Sequence, residues 1–141
     1  MTTVSLVMMG ALTALIIDID ENRRSVAWAL QEAGFQVTEV LESGEGVKNV
    51  LDAGPHVIIV GEEMPPLDGV DLLPVLRRLT EAPIVVLGAG GEMAMVQALL
   101  QGADVYLTRP VHTREFMARI RALLRRYGAA RGISGEPLLQ C

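Results

Sequence analysis

From residue 13 onward, short apolar runs alternate with amphipathic stretches at a steady spacing. This is the pattern of repeated strand–helix units around a parallel sheet. Five units are legible, with strands predicted over residues 14–18, 36–40, 57–61, 84–88 and 104–107. Their nearly continuous Val, Ile and Leu content suits strands covered on both faces. Between them, Asp20 is placed to cap a first helix that runs to Ala33 and stops at Gly34. Val26, Leu30 and Ala33 form its core-facing set and leave Trp28 partly exposed. Ser43 opens a second helix that ends near Ala53 and Gly54. A third helix, over residues 70–79, contains Pro74, so it is expected to begin late or to bend. The fourth covers residues 92–101, with Met93, Met95, Val96, Leu99 and Leu100 as apolar positions. The fifth, residues 113–127, sets Phe116, Ile120, Leu123 and Leu124 on one face and Arg119, Arg121, Arg125 and Arg126 largely on others, with Gly128 as its stop.

The chain has 141 residues, half of them apolar and only 4% aromatic, which fits one domain with an aliphatic core and excludes a disordered chain. A formal net charge of −5 argues against general affinity for nucleic acid. That charge is uneven. Residues 1–63 hold ten acidic against three basic side chains, whereas residues 109–131 hold seven arginines against Glu115 alone. The arginine run lacks interleaved aromatics, and a charged helix face explains it more simply than a nucleic-acid site. Cys141 is the one cysteine, which points to a reducing compartment and a cytoplasmic location.

Residues 4–17 are almost wholly apolar, yet shorter than the roughly 20 residues a spanning helix needs. No basic side chain precedes them, as a secretory signal would require. Residues 1–12 are therefore read as an N-terminal extension packed on the domain or a partner, or as the product of a start codon upstream of Met8 or Met9. No membrane association is expected. Residues 129–141 read as a linker or tail.

In open parallel sheets, sites form at the carboxyl ends of strands. Three stretches there, residues 15–24 (LIIDIDENRR), 64–69 (MPPLDG) and 102–110 (GADVYLTRP), resemble the conserved segments of response-regulator receiver domains. The resemblance covers about residues 13–128. The later stretch REFMARIRALLRR (residues 114–126) looks most like the OmpR/PhoB-type branch, whose receivers precede a DNA-binding domain. It implies a doubly wound, CheY-like (βα)5 receiver domain, with a five-stranded parallel sheet in the order 2-1-3-4-5.

Receivers accept a phosphoryl group on an aspartate ending the third strand, beside Mg²⁺ held by that residue and an acidic pair after the first strand. By the resemblance, Gly61 stands at the acceptor position. Asp18 matches the first member of the pair, Ile19 occupies the second, Gly88 replaces the hydroxyl residue and Arg109 replaces the lysine. No catalytic residue and no cofactor are therefore expected, and the chain is not expected to be an enzyme. Making Glu62 the acceptor would need a deletion in a loop whose length otherwise matches. Asp18, Asp20 and Glu63 are weak candidates for a metal, against the simpler roles of helix cap and solvated loop. With side chains missing at Gly61 and Gly88, the site is expected to be emptier and less negative than in an active receiver. It then serves either as a fixed scaffold or as a pocket for a small-molecule effector. Arg109 can pair with Asp18 or Asp20. Tyr106 corresponds to the family's switch aromatic, and the Arg109–Pro110 bond is expected to be cis.

Receivers of this branch dimerise through the fourth helix, fifth strand and fifth helix. Asp104, Glu115, Arg119 and Arg126 match part of the charged pattern, while Val105 and Met95 stand where charges are expected. The expected homodimer is thus more apolar, with Met93, Met95 and Val105 in its contact, unless those methionines fill the core. DNA would be contacted only through a C-terminal domain absent from these residues. His56 and His112 have neither metal-ligand nor triad spacing.

Overall fold

The computed structural model describes residues 12–130. The N-terminal extension before Leu12 and the tail from residue 131 lie outside the described residues. Five strands, β1 (Thr13–Ile17), β2 (Gln36–Val40), β3 (Val57–Gly61), β4 (Ile84–Gly88) and β5 (Val105–Thr108), alternate with five helices. These are α1 (Asn22–Glu32), α2 (Ser43–Ala53), α3 (Gly69–Leu79), α4 (Glu92–Gln101) and α5 (Thr113–Ala130). All pairings are parallel, and the strand order is β2-β1-β3-β4-β5, as expected for a doubly wound sheet.

Successive side chains of a strand point to opposite faces, so each central strand feeds two cores. Ile16, Ile59, Val85 and Leu87 pack with Val26 and Leu30 of α1 and with Phe116, Ile120 and Leu123 of α5. Leu15, Ile17, Ile58, Val60, Ile84 and Val86 pack with Val50 of α2, Leu72, Leu73 and Leu76 of α3, and Ala98 of α4. The central strands β3 and β4 are buried throughout, whereas β2, at an edge, is not.

Several boundaries depart from the sequence reading. Asp18 lies just beyond β1 rather than inside it, and Asp104 precedes β5. Helix α2 does open at Ser43 as expected, and Glu42 caps it, accepting from the Glu45 amide at 2.9 Å. Ser43 is buried, and its hydroxyl accepts from the Leu67 amide at 3.2 Å. Helix α3 does not begin late. It starts at Gly69 and carries Pro74 in its interior. Helix α5 runs through Gly128 to Ala130, since a helical glycine is only about 1 kcal/mol worse than alanine and two alanines follow it. Ala33 is exposed, and α1 buries Val26, Ala27, Ala29 and Leu30 instead. Gly54 does end α2 in the left-handed conformation, φ 59°.

Phe116 is fully buried against the sheet. Phe116→Ala is expected to lower the unfolding free energy by about 3–5 kcal/mol, read from the midpoint of urea denaturation.

Candidate functional site

The carboxyl ends of β1, β3, β4 and β5 border a cleft of about 630 Å³ whose walls include Asp18, Ile19, Asp20, Glu62, Gly88 and Arg109. Asp18 is fully buried. Its Oδ1 accepts from the Arg109 guanidinium at 2.8 Å and from the Asp20 amide at 3.1 Å. Its Oδ2 is buried with no hydrogen-bond partner. Burial pushes the Asp18 carboxyl above its ordinary value, outweighing the opposing pull of the Asp20 amide and Arg109. Arg109 also reaches Asp20, with 3.8 Å between Nη1 and Oδ1, and donates to the Leu87 carbonyl at 3.3 Å. Both acids named in the sequence reading thus meet Arg109. Asp20 accepts from the Asn22 amide at 2.7 Å in the turn before α1, whose N-cap position is Glu21 rather than the expected Asp20.

At two glycines of the site, the room a side chain would need is already occupied. A Cβ at Gly61 would overlap Asp18 Oδ1 and stand 2.8 Å from Asp18 Cγ and 3.1 Å from Arg109 Nη2. The space a side chain would need is filled by the Asp18–Arg109 pair. The same holds at Gly88, where a Cβ would overlap Glu62 Oε1 and the Tyr106 hydroxyl. The Tyr106 hydroxyl donates to Glu62, lying 3.2 Å from each carboxylate oxygen, and accepts from the Gly90 amide at 3.0 Å. Glu62 Oε1 also accepts from the Ala89 amide at 3.1 Å. Burial raises the Tyr106 phenol above its ordinary value, and the Glu62 carboxylate adds to that effect. Glu21, Glu62 and Glu63 line the cleft as well.

Sequence reasoning did not find the Glu62–Tyr106 pair. The available signal was two glycines, Gly61 and Gly88, at the ends of adjacent strands, with a long acidic side chain directly after the first.

Asp18, Asp20 and Glu63 share the cleft wall. Among the described residues, however, no group of three or more His, Cys, Asp or Glu side chains is arranged to hold a metal ion. Asp18 Oδ1 is engaged by Arg109, and Ile19, 47% exposed, has no side-chain oxygen. The residues as placed do not offer the oxygen set that a hard divalent cation takes. The Arg109–Pro110 bond is cis, as is Pro65–Pro66. His56 accepts from the Thr13 amide at 3.0 Å through Nδ1.

On the opposite flank, α4 buries Ala98 alone. Met93 and Leu100 are 86% and 81% exposed, and Met95, Val96 and Leu99 are also exposed, so they do not fill the core. Val105 is half-buried. Asp104 is engaged within the chain: Oδ2 accepts from the Ile84 amide at 2.8 Å and lies 3.8 Å from Arg77, and Oδ1 accepts from the Tyr127 hydroxyl at 2.9 Å. Glu115 and Arg119 form an exposed pair one helical turn apart at 3.6 Å, and Arg126 is exposed.

Residues 14–121 match the response regulator receiver domain family, and the chain belongs to it. It is 35% identical over 127 residues to the transcriptional regulatory protein PrrA of Mycobacterium leprae, covering 88% of this chain and 54% of that protein. It is 39% identical over 114 residues to the transcriptional regulatory protein CpxR of Escherichia coli K12, covering 79% of this chain and 49% of that one. Relatives of the OmpR/PhoB type also include the phosphate regulon regulator PhoB of Pseudomonas aeruginosa, 35% identical over 82% of this chain and 53% of that protein. The chain spans about half the length of these curated relatives. A two-component response regulator of Clostridium difficile superposes with a TM-score of 0.79 at 26% identity, over 82% of this chain and 98% of that one. Among the described residues, no helix is long and apolar enough to cross a membrane.

The native Asp18 carboxyl keeps its proton to higher pH than it does in the unfolded chain, where the ordinary value is 3.8. Its contribution to stability is complete below that value and is lost as pH rises through the raised native one. The difference in unfolding free energy between the wild type and Asp18→Asn is therefore expected to shift against the wild type over that window, in urea titrations across pH. Gly61→Asp crowds a second carboxylate onto Asp18 and is expected to lower stability by about 1–3 kcal/mol at neutral pH, in the same assay.

Proposed function

We propose that this receiver acts without phosphoryl transfer, as a constitutive regulatory and dimerisation module of a cytoplasmic transcription regulator. The observation that carries the reading is at the end of β3. Gly61 has no nucleophile, and the space beside it is taken by Asp18 bound to Arg109. An acyl phosphate needs a carboxylate there and a cation beside it. DNA contact falls to a part of the regulator beyond these 141 residues, consistent with relatives about twice as long.

The proposed dimer uses α4, β5 and α5. The charged side chains expected to bridge two copies are largely spent inside one: Asp104 on Ile84 and Tyr127, Glu115 on Arg119. That leaves Met93, Met95, Leu100 and Val105 to supply contact area, with Arg126 at the margin. An apolar face of this kind on a small soluble domain marks an interaction site. A second reading, an effector bound in the cleft, is favoured by its size and by its mixture of Arg109 with several acids. A ligand selective for the native state would raise the melting temperature.

Two measurements test the main reading. Incubation with acetyl phosphate and Mg²⁺ is expected to leave the intact mass unchanged, and an added phosphoryl mass defeats the proposal. Sedimentation without any phosphodonor is expected to show a dimer. Leu100→Glu should weaken that dimer by about tenfold or more, as a charge buried in an apolar contact would, while the monomer stays folded.

A further inference from the structure

The turn between β4 and α4 is built from Ala89, Gly90 and Gly91, and the last two adopt φ of 104° and 105°, where only glycine is comfortable. Such a turn has little rigidity of its own, because glycine has the widest backbone freedom. Yet its amides are held. Ala89 donates to Glu62 Oε1 at 3.1 Å, and Gly90 donates to the Tyr106 hydroxyl at 3.0 Å. The phenol in turn donates to the Glu62 carboxylate at 3.2 Å. Glu62 is itself anchored, its amide donating to the Leu87 carbonyl at 2.8 Å and its carbonyl accepting from Gly69 at 3.0 Å. One carboxylate thereby joins the ends of β3, β4 and β5 and reaches the residues that lead into α4. Hydrogen bonds to a charged acceptor are the stronger kind. Gly88 is what admits the arrangement, since a Cβ there would stand 2.7 Å from Glu62 Cδ and overlap the phenol oxygen.

We propose that Glu62 is a positioning residue: its carboxylate clamps Tyr106 inward and fixes both the β4–α4 turn and the first turn of α4, so that the exposed apolar face of α4 is held in one placement by the chain itself. This rests on the reading of the domain as constitutive, and it names the side chain that keeps it so. The first turn of α4 follows from the clamped segment directly, because the Met95 amide donates to the Gly91 carbonyl at 3.1 Å. The clamp also fits the two vacant Cβ positions. Gly61 makes room for Asp18 and Arg109, and Gly88 makes room for Glu62 and Tyr106, so a side-chain pair occupies the space beside each glycine.

The test is amide-proton exchange measured by NMR on the full chain, with the amides of Ala89, Gly90 and Met95 as reporters and Ile16 and Val86 as controls. Glu62→Ala is expected to speed exchange at all three reporters by about tenfold, the scale of losing a hydrogen bond to a charged acceptor, and to leave both controls unchanged. Glu62→Gln retains an acceptor oxygen and is expected to restore most of the protection, whereas Glu62→Met, which fills similar space without a carbonyl or carboxylate acceptor, is expected not to, as a purely space-filling role would not predict. Tyr106→Phe should release Gly90 while Ala89 stays bound to Glu62. Gly88→Ala should release both by displacing the pair. Unchanged exchange at Ala89 and Gly90 in Glu62→Ala overturns the clamp, and loosened Ala89 and Gly90 with an unaltered Met95 overturns its hold on α4. A wild-type chain that gains a phosphoryl group would defeat the constitutive reading alone, because the exchange rates decide the clamp independently.

Discussion

Asp18 is a carboxylate with no solvent-exposed surface at the end of a strand flanked on both sides. An isolated charge in such a place is strongly unfavourable, and it persists only with a counter-charge and hydrogen bonds around it. Arg109 supplies both, reaching from the segment after β5, past the end of β3, to an oxygen next to β1. A guanidinium keeps its charge under all ordinary conditions and is less strongly hydrated than an ammonium, which suits it to a partly dry site. The path it crosses is open because residue 61 has no side chain. From the same position Arg109 also meets the Asp20 carboxylate and the Leu87 carbonyl.

The burial pattern gives the same bridge a second consequence. Only one oxygen of Asp18 is satisfied, and the other faces no donor. The site is thus electrostatically tense, with desolvation and pairing pulling the carboxyl in opposite directions and desolvation prevailing. A water-filled, fully ionised acidic pocket would have a different balance, since open carboxylates retain their hydration.

Much of this was legible in the sequence, because the relevant information is local. The runs in β3 and β4 read directly as buried strands, and Gly54 reads as a helix stop because its role depends on its own backbone. The pairing of Arg109 with Asp18 could be anticipated because opposite charges lie at the ends of strands that converge. Elsewhere the outcome turned on neighbours that residue type alone does not reveal. Ser43 opens α2 as read, but its cap was not legible: the Ser43 hydroxyl is taken by the amide of Leu67, and Glu42 accepts from Glu45. Gly128 is a good stop by type, yet the helix continues through it. The Glu62–Tyr106 contact joins residues 44 positions apart, and no periodicity announces it. The apolar residues of α4 were visible as apolar, but their exposure was not, because it depends on how little of that helix faces the sheet.

The outer margin of β2 is, with that of β5, one of the two edges at which the described sheet could be lengthened by another chain. Strand β2 is only five residues long and carries Gln36, Thr38 and Glu39, with the Glu39 carboxylate 3.2 Å from the Nε of Arg23. A short, polar margin pinned by an ion pair is a poor template for adding a foreign strand. At this edge the fold therefore discourages fibrous growth through its backbone, and copies are left to meet on the other side of the sheet, where β5 and the greasy side of a helix lie.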